Sequence, residues 1–158
     1  MLNHSMKSGE GAAATEEKMI KEILLCGFSE AHELPLAKEL IQAGFPSPAE
    51  GLPSETLDLN QHLIKNPAGT YLLRVAGESM MNAGIFPDDL LIVDKSVEAV
   101  NGDVVVAVLD GDFTVKRLFI KGARCELRSE NPNYPPIQVA AFENVEIWGV
   151  VRHVIHSL

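Results

Sequence analysis

The chain of 158 residues has only two cysteines, Cys26 and Cys125, which stand far apart in the sequence. Neither has a second cysteine or histidine at the short spacing of a metal site, so the sequence argues against a disulfide scaffold and a structural zinc site. No apolar run approaches the roughly 20 residues of a membrane-spanning helix, and the N-terminus lacks the pattern of a signal peptide. We therefore expect a cytoplasmic protein with free thiols.

Basic residues are also scarce: 13 Lys and Arg stand against 22 Asp and Glu, and the formal net charge is −9. A protein that grips DNA through its own surface needs a basic face to neutralise phosphates. The charge therefore disfavours direct, sequence-specific DNA binding and favours a protein partner.

The familiar catalytic and cofactor motifs are missing as well. There is no phosphate-binding loop, no glycine-rich dinucleotide fingerprint and no His-Glu-x-x-His sequence. Residues 77–81 lack the second glycine of a nucleophile elbow. None of the five histidines has a clear ligand or triad partner. We expect no cofactor and no metal.

The composition that is present indicates one domain preceded by an arm. Residues 1–14 are small and polar without periodicity, whereas the apolar spacing from Thr15 onward predicts a short amphipathic helix that stops near Gly27. Three prolines and a glycine predict an extended linker over residues 44–56. We place the arm at residues 1–43 and a β-rich domain at 57–158, with one helical turn near residues 61–65.

Beyond Gly69 the sequence alternates short apolar runs with turn residues about every ten positions. Asp110-Gly111 is a hairpin turn signal, because both residues tolerate positive φ. With no long helices between the strands, the pattern predicts a mainly β fold, a coiled antiparallel sheet or barrel. The predicted strands are residues 71–76, 90–94, 104–109, 113–120, 124–129, 137–139 and 145–153.

Two residues could carry chemistry. Ser79 follows a predicted strand at the start of a helical turn, where it could be either an exposed nucleophile or an N-cap. Lys116 shares a strand face with Thr114 and Leu118, so it is either a solvated edge lysine or a buried one. Burial would lower its pKa and make it a general base for a Ser–Lys dyad.

Four ordered blocks of sequence and two further segments resemble the LexA-type self-cleaving peptidase domain, and within it the UmuD group. The blocks are residues 75–80, 90–94, 102–107 and 112–118. Residues 41–49 are similar to the self-cleavage segment of that group, and residues 131–134 and 147–151 to its C-terminal strands. The resemblance covers about residues 34–155 and implies the fold of LexA and the signal peptidases.

Carried over by position, the resemblance makes Ser79 the nucleophile and Lys116 the general base. It places the scissile bond between Ala43 and Gly44 and assigns oxyanion binding to the backbone amides of Glu78 and Ser79. It further implies a homodimer, cleavage stimulated by a RecA filament on single-stranded DNA, and a cleaved product that serves an error-prone, UmuC-type Y-family DNA polymerase in the SOS response.

Three other functions compete with this interpretation. A LexA-like repressor would need a DNA-binding domain upstream of the cut, but residues 1–43 hold 4 Lys, 7 Glu and two short apolar patterns. A signal-peptidase-like enzyme would need a membrane anchor. A non-catalytic β-scaffold would make Ser79 and Lys116 structural, and a cleavage assay separates it from a peptidase.

Overall fold

The computed structural model describes residues 20–25, 30–37 and 54–158. Within these ranges the chain forms ten β-strands and a single short α-helix, α1 (Leu59–Leu63). The strands are β1 (Ile20–Leu25), β2 (Glu33–Ala37), β3 (Ser54–Asp58), β4 (Thr70–Val75), β5 (Leu90–Asp94), β6 (Val104–Leu109), β7 (Asp112–Lys121), β8 (Arg124–Arg128), β9 (Ile137–Gln138) and β10 (Val145–Ile155).

Eight strands form one curled antiparallel sheet in the order β1-β4-β5-β10-β6-β7-β8-β9. The remaining two, β2 and β3, pair with each other in a separate two-stranded sheet. The mainly β, coiled antiparallel fold expected from the sequence is therefore confirmed. Its central strands lie within two residues of the predicted positions, and β5 and β6 match to the residue.

Two apolar clusters pack on opposite faces of the sheet, because successive residues of a strand point to opposite sides. Val106 and its partner Val115 belong to the first cluster, while Val105 and Leu118 belong to the second. Strands β6 and β7 are thus covered on both faces. A polar side chain on β7 can be buried on either of them, which matters for Lys116.

The turn between β6 and β7 has the predicted chemistry. Asp110 and Gly111 have φ values of 46° and 95°, the left-handed conformations of a two-residue hairpin. The backbone N–H of Asp110 donates to the carbonyl of Asn144, and the Asp110 carboxylate accepts from the Asn144 N–H. This tight turn fixes the register that places Lys116 opposite Val105.

The helix predicted from Thr15 to near Gly27 is wrong over its described part, because residues 20–25 form β1 and pair with β4. Ile20, Ile23 and Leu24 have helical spacing, yet only Ile20 is buried and the other two are exposed. Pairing with a strand about fifty residues away overrides the local pattern. Residues 15–19 and 26–27 lie outside the described part of the chain.

The second predicted helical turn exists but begins earlier, at Leu59 instead of Gln61. Asp58 caps it, since its carboxylate accepts hydrogen bonds from the backbone N–H groups of Asn60 and Gln61 at 2.8 and 3.3 Å. Residues 54–56, the end of the predicted linker, belong to β3, and residues 44–53 are not described.

Candidate active site

Ser79 lies at a corner just beyond the end of β4. The next residue, Met80, is fully buried in the first apolar cluster and anchors the corner, and a 3-10 turn follows at Met81–Ala83. The carbonyl of Glu78 accepts hydrogen bonds from the Met81 N–H at 3.3 Å and from Asn131 Nδ2 at 3.0 Å. The serine is thereby held in a fixed position, with 1% of its surface exposed.

The N-cap interpretation of Ser79 is wrong in this structure. The N-cap position of the 3-10 turn is occupied by Met80, one position further on, and no side-chain hydrogen bond caps the turn. The Ser79 hydroxyl instead hydrogen-bonds the side chain of Lys116, 37 residues away. Its position is therefore set by a tertiary contact.

Lys116 is buried, with 5% of its surface exposed, although it carries an amine. It lies near the middle of β7, which pairs on one side with β6 and on the other with β8. Leu118, on the same face, is buried too. The alternative of a solvated edge lysine is therefore wrong, and removal of the amine from water disfavours its charged form.

The two side chains meet with the geometry of a proton-transfer pair. Lys116 Nζ lies 3.0 Å from Ser79 Oγ, within the range in which a base takes a proton directly. Two further acceptors surround the nitrogen, Thr114 Oγ1 at 2.8 Å and the carbonyl oxygen of Val115 at 3.3 Å. This arrangement can hold the amine in one orientation with respect to the hydroxyl.

The segment after β8 supports both halves of the site. The carbonyl of Glu130 accepts from the backbone N–H of Asn82 at 2.8 Å, and the Glu130 carboxylate pairs with Arg117, the neighbour of Lys116. Asn131, the next residue, holds the carbonyl of Glu78. Residues 130 and 131 therefore connect the serine corner to the lysine strand.

Sequence reasoning placed Thr114 on the face of Lys116 but gave it no function. It gave none to Asn131 either, since a contact between two loops 53 residues apart leaves no local pattern. The amides of Glu78 and Ser79 lie in the described chain, and their oxyanion role stays a prediction. The predicted scissile bond between Ala43 and Gly44 lies outside the described residues.

Across residues 20–25, 30–37 and 54–158, no group of three or more histidine, cysteine or acidic side chains is arranged to hold a metal ion. The helices within these ranges are all too short or too polar to traverse a bilayer.

Comparison with known proteins places the chain in a group. A family model described as Peptidase S24-like matches residues 35–152. The chain is 42% identical over 128 residues to protein MucA of Salmonella typhimurium, covering 80% of this chain and 87% of MucA. It is 46% identical over 123 residues to protein ImpA of Shigella flexneri, covering 77% and 83%.

A repressor is also among the similar proteins. The chain is 45% identical over 125 residues to the LexA repressor of Shewanella denitrificans, covering 78% of this chain and 60% of that repressor. The family match includes both Ser79 and Lys116.

Proposed function

The chain belongs to the Peptidase S24-like family, and from that membership we propose that it is a UmuD-type serine peptidase that cuts its own chain between Ala43 and Gly44. Ser79 is the nucleophile and Lys116 the general base. The observation that carries the proposal is the 3.0 Å separation of Lys116 Nζ and Ser79 Oγ within a buried site.

Cleavage would proceed in two stages. The neutral amine of Lys116 takes the proton of Ser79 Oγ, which attacks the carbonyl carbon of Ala43. The backbone amides of Glu78 and Ser79 stabilise the resulting oxyanion. Lys116 returns its proton to the nitrogen of Gly44, the peptide bond breaks, and an ester joins Ser79 to Ala43. A water deprotonated by Lys116 then hydrolyses the ester.

The neighbours of Lys116 support this role. A neutral amine has two N–H donors and one lone pair. When Thr114 Oγ1 and the Val115 carbonyl accept the two N–H groups, the lone pair is left for the Ser79 hydroxyl. The surroundings thus orient the base for proton transfer from the serine.

We further propose that self-cleavage is part of the response to DNA damage. In this proposal, a RecA filament on single-stranded DNA stimulates the cut, and the product from Gly44 onward forms a homodimer that serves a UmuC-type, error-prone polymerase. Two observations support it: the similarity to MucA and ImpA over more than four-fifths of their lengths, and the net charge of −9, which favours protein partners over DNA.

The self-cleavage is tested with the full chain alone. Wild-type protein is incubated over a range of pH from neutral to alkaline, where a lysine base is increasingly neutral. Mass spectrometry should detect a fragment beginning at Gly44. Ser79→Ala and Lys116→Met should yield none, whereas Lys121→Ala, a matched exposed lysine on the same strand, should cleave like wild type. Equal cleavage in all four proteins would exclude the dyad.

The stimulation is tested separately at neutral pH. RecA assembled on single-stranded DNA with nucleotide should accelerate release of the same fragment, while RecA without DNA should not. Unchanged rates would remove RecA from the proposal and leave the peptidase intact.

A LexA-like repressor is the second candidate, favoured by the 45% identity to a LexA protein. Against it, residues 1–43 carry more Glu than Lys, whereas a DNA-binding segment needs a basic face. Electrophoretic mobility of mixed DNA duplexes at low salt separates the two. A sequence-selective shift by the uncut protein would favour the repressor.

A further inference from the structure

Strand β1 is the outermost strand of the eight-stranded sheet, and its partner β4 lies just inside it. In the sequence, β1 precedes residues 38–53 and β4 follows them. A cut anywhere in that segment would therefore leave β1 and β4 on different polypeptides, held together only by noncovalent contacts.

Side chains hold β1 at three consecutive positions. Ile20 lies opposite Val75 and is 4% exposed, within the first apolar cluster. Lys21 Nζ lies 2.6 Å from the carboxylate of Asp88, and a carboxylate oxygen of Glu22 lies 3.7 Å from Arg74 Nε. A strand that pairs with this edge of the sheet therefore needs one apolar side chain to bury and two charged side chains to form the exposed ion pairs.

Backbone hydrogen bonds provide the remaining attachment, and the direction of the β4 amides follows from Val75. Its N–H donates to the carbonyl of Asp89, and its carbonyl accepts from the N–H of Asp88, so both groups face away from β1. Backbone groups alternate in direction along a strand, so those of Leu72 and Arg74 face β1. Loss of β1 would leave the outward-facing backbone groups of Leu72 and Arg74 without a strand partner.

We propose that the outer edge of β4 is a strand-binding site that β1 fills in the intact chain and that cleavage opens to an extended peptide of a partner protein. The peptide would add to the sheet edge as a new strand. It would present a branched apolar residue in the pocket of Ile20, then a basic residue facing Asp88 and an acidic residue facing Arg74.

The energetics favour exchange after a cut. Within one chain, β1 is present at an effective concentration in the millimolar range. After the cut the covalent link is gone, and β1 is retained only by its own contacts and by the pairing of β2, on the same fragment, with β3. Exposed ion pairs such as Lys21–Asp88 contribute little by themselves. The outer edge of β4 can then pair with any strand whose residue pattern matches that of β1. This inference rests on the proposed function only in requiring a break between β2 and β3.

The experiment separates the inference from the peptidase activity. A full-length Ser79→Ala variant receives the recognition sequence of a foreign protease in place of residues 45–50, so that it can be cut without the dyad. After gel filtration, amide hydrogen exchange at Leu72 and Arg74 should rise about tenfold or more relative to the uncut protein. Exchange at Leu73, whose amide faces β5, is the internal control and should change little.

Binding is measured with a fluorescent peptide that carries residues 16–25 of this chain. The peptide should bind the cut protein and fail to bind the uncut one. An Ile20→Asp peptide should not bind. A Glu22→Lys peptide should bind several-fold more weakly, and Arg74→Glu in the protein should restore its binding.

Three results would overturn the inference: equal peptide binding before and after the cut, retained protection of Leu72 and Arg74 once the N-terminal fragment is gone, or a fragment that stays bound through gel filtration. A concentration-dependent dimer that excludes the peptide would assign the edge to a second copy instead. If wild type never cleaves itself yet the foreign cut opens the edge, the proposed function fails and this inference stands.

Discussion

The hydroxyl of Thr114 lies 2.8 Å from Nζ of Lys116, two residues further along the same strand. Alternation along β7 places both side chains on one face, so the strand itself sets this contact. Ser79 reaches the same nitrogen from a different part of the chain. The orientation of the base therefore depends on a threonine that takes no part in bond making.

Replacing Thr114 with valine should slow self-cleavage, because valine keeps the shape of threonine but accepts no hydrogen bond. The loss of one hydrogen bond to the amine predicts a decrease of about threefold to tenfold in the first-order rate. The rate is followed by gel densitometry from neutral to alkaline pH.

Thr114→Ser retains a hydroxyl and is the matched control, which should cleave within about twofold of wild type. If valine and serine variants slow cleavage equally, the threonine acts through packing and not through its hydroxyl. Unchanged rates in both would remove Thr114 from the site.

Asp88 reports whether β1 is in place. The hydrogen bond and the positive charge of Lys21, with a smaller contribution from Arg74, hold the pKa of Asp88 below its ordinary value of 3.8. Lys21→Met should therefore raise the pKa of Asp88, measured by carboxyl NMR titration. Lys65→Met, just beyond the C-terminal end of α1, is the control and should leave it unchanged.

The sign of the linked effect follows from the lowered pKa. Attraction between Lys21 and the Asp88 carboxylate favours docking of β1 above the ordinary pKa and is lost as the pH falls through the lowered value. Exchange at Leu72 and Arg74 should therefore increase in acid. If Lys21→Met leaves the pKa of Asp88 unchanged, β1 does not pair with β4 in solution.

Glu126 on β8 is a buried carboxylate, with hydrogen bonds from Gln138, Arg128 and Arg124. Led by the bond from Gln138, these lower its pKa from 4.5 to about 2. The stabilisation is complete above pH 4.5 and disappears as the pH falls to about 2. Glu126→Gln should thus lower the melting temperature near neutral pH, and the difference from wild type should shrink in acid.

The exposed Glu146 offers a matched control, since Glu146→Gln should leave the melting temperature unchanged at either pH. If the difference in melting temperature between Glu126→Gln and wild type stays constant down to about pH 2, the charge of Glu126 is not what stabilises this part of the sheet.

The central strands could be predicted from the sequence because their signals are local. Apolar runs bounded by Asp110-Gly111 and similar turns fix β5, β6 and β7 without knowledge of their partners. Strand β1 could not be predicted in this way. Its apolar spacing fits a helix, and only pairing with β4, far along the chain, makes it a strand.

The candidate site, like the fold, could be predicted from local sequence signals only in part. The sequence put Lys116 on one face of a strand, but which face is buried depends on how both sides of the sheet are covered. Likewise, the contact of Ser79 with Lys116 required the family resemblance or the folded structure. The support from Asn131 to Glu78 arises between two loops and could be found only in the structure.

Gly149 on β10 is required where the strand shifts register against β6 and passes close to β5. A Cβ atom there would lie 2.7 Å from Cγ1 of Val93 and 3.2 Å from the carbonyl oxygen of Asp94. Because both belong to a packed strand, Gly149→Ala should lower the free energy of unfolding by about 1–3 kcal/mol in urea denaturation.

Double substitution tests this cause directly. Val93→Ala removes the methyl group that the new Cβ would meet, at the cost of a cavity in the core. If contact with Val93 is responsible, Gly149→Ala should destabilise the Val93→Ala protein by about 1 kcal/mol less than it destabilises wild type. Strictly additive effects would instead place the strain at the Asp94 backbone, where no side-chain change can relieve it.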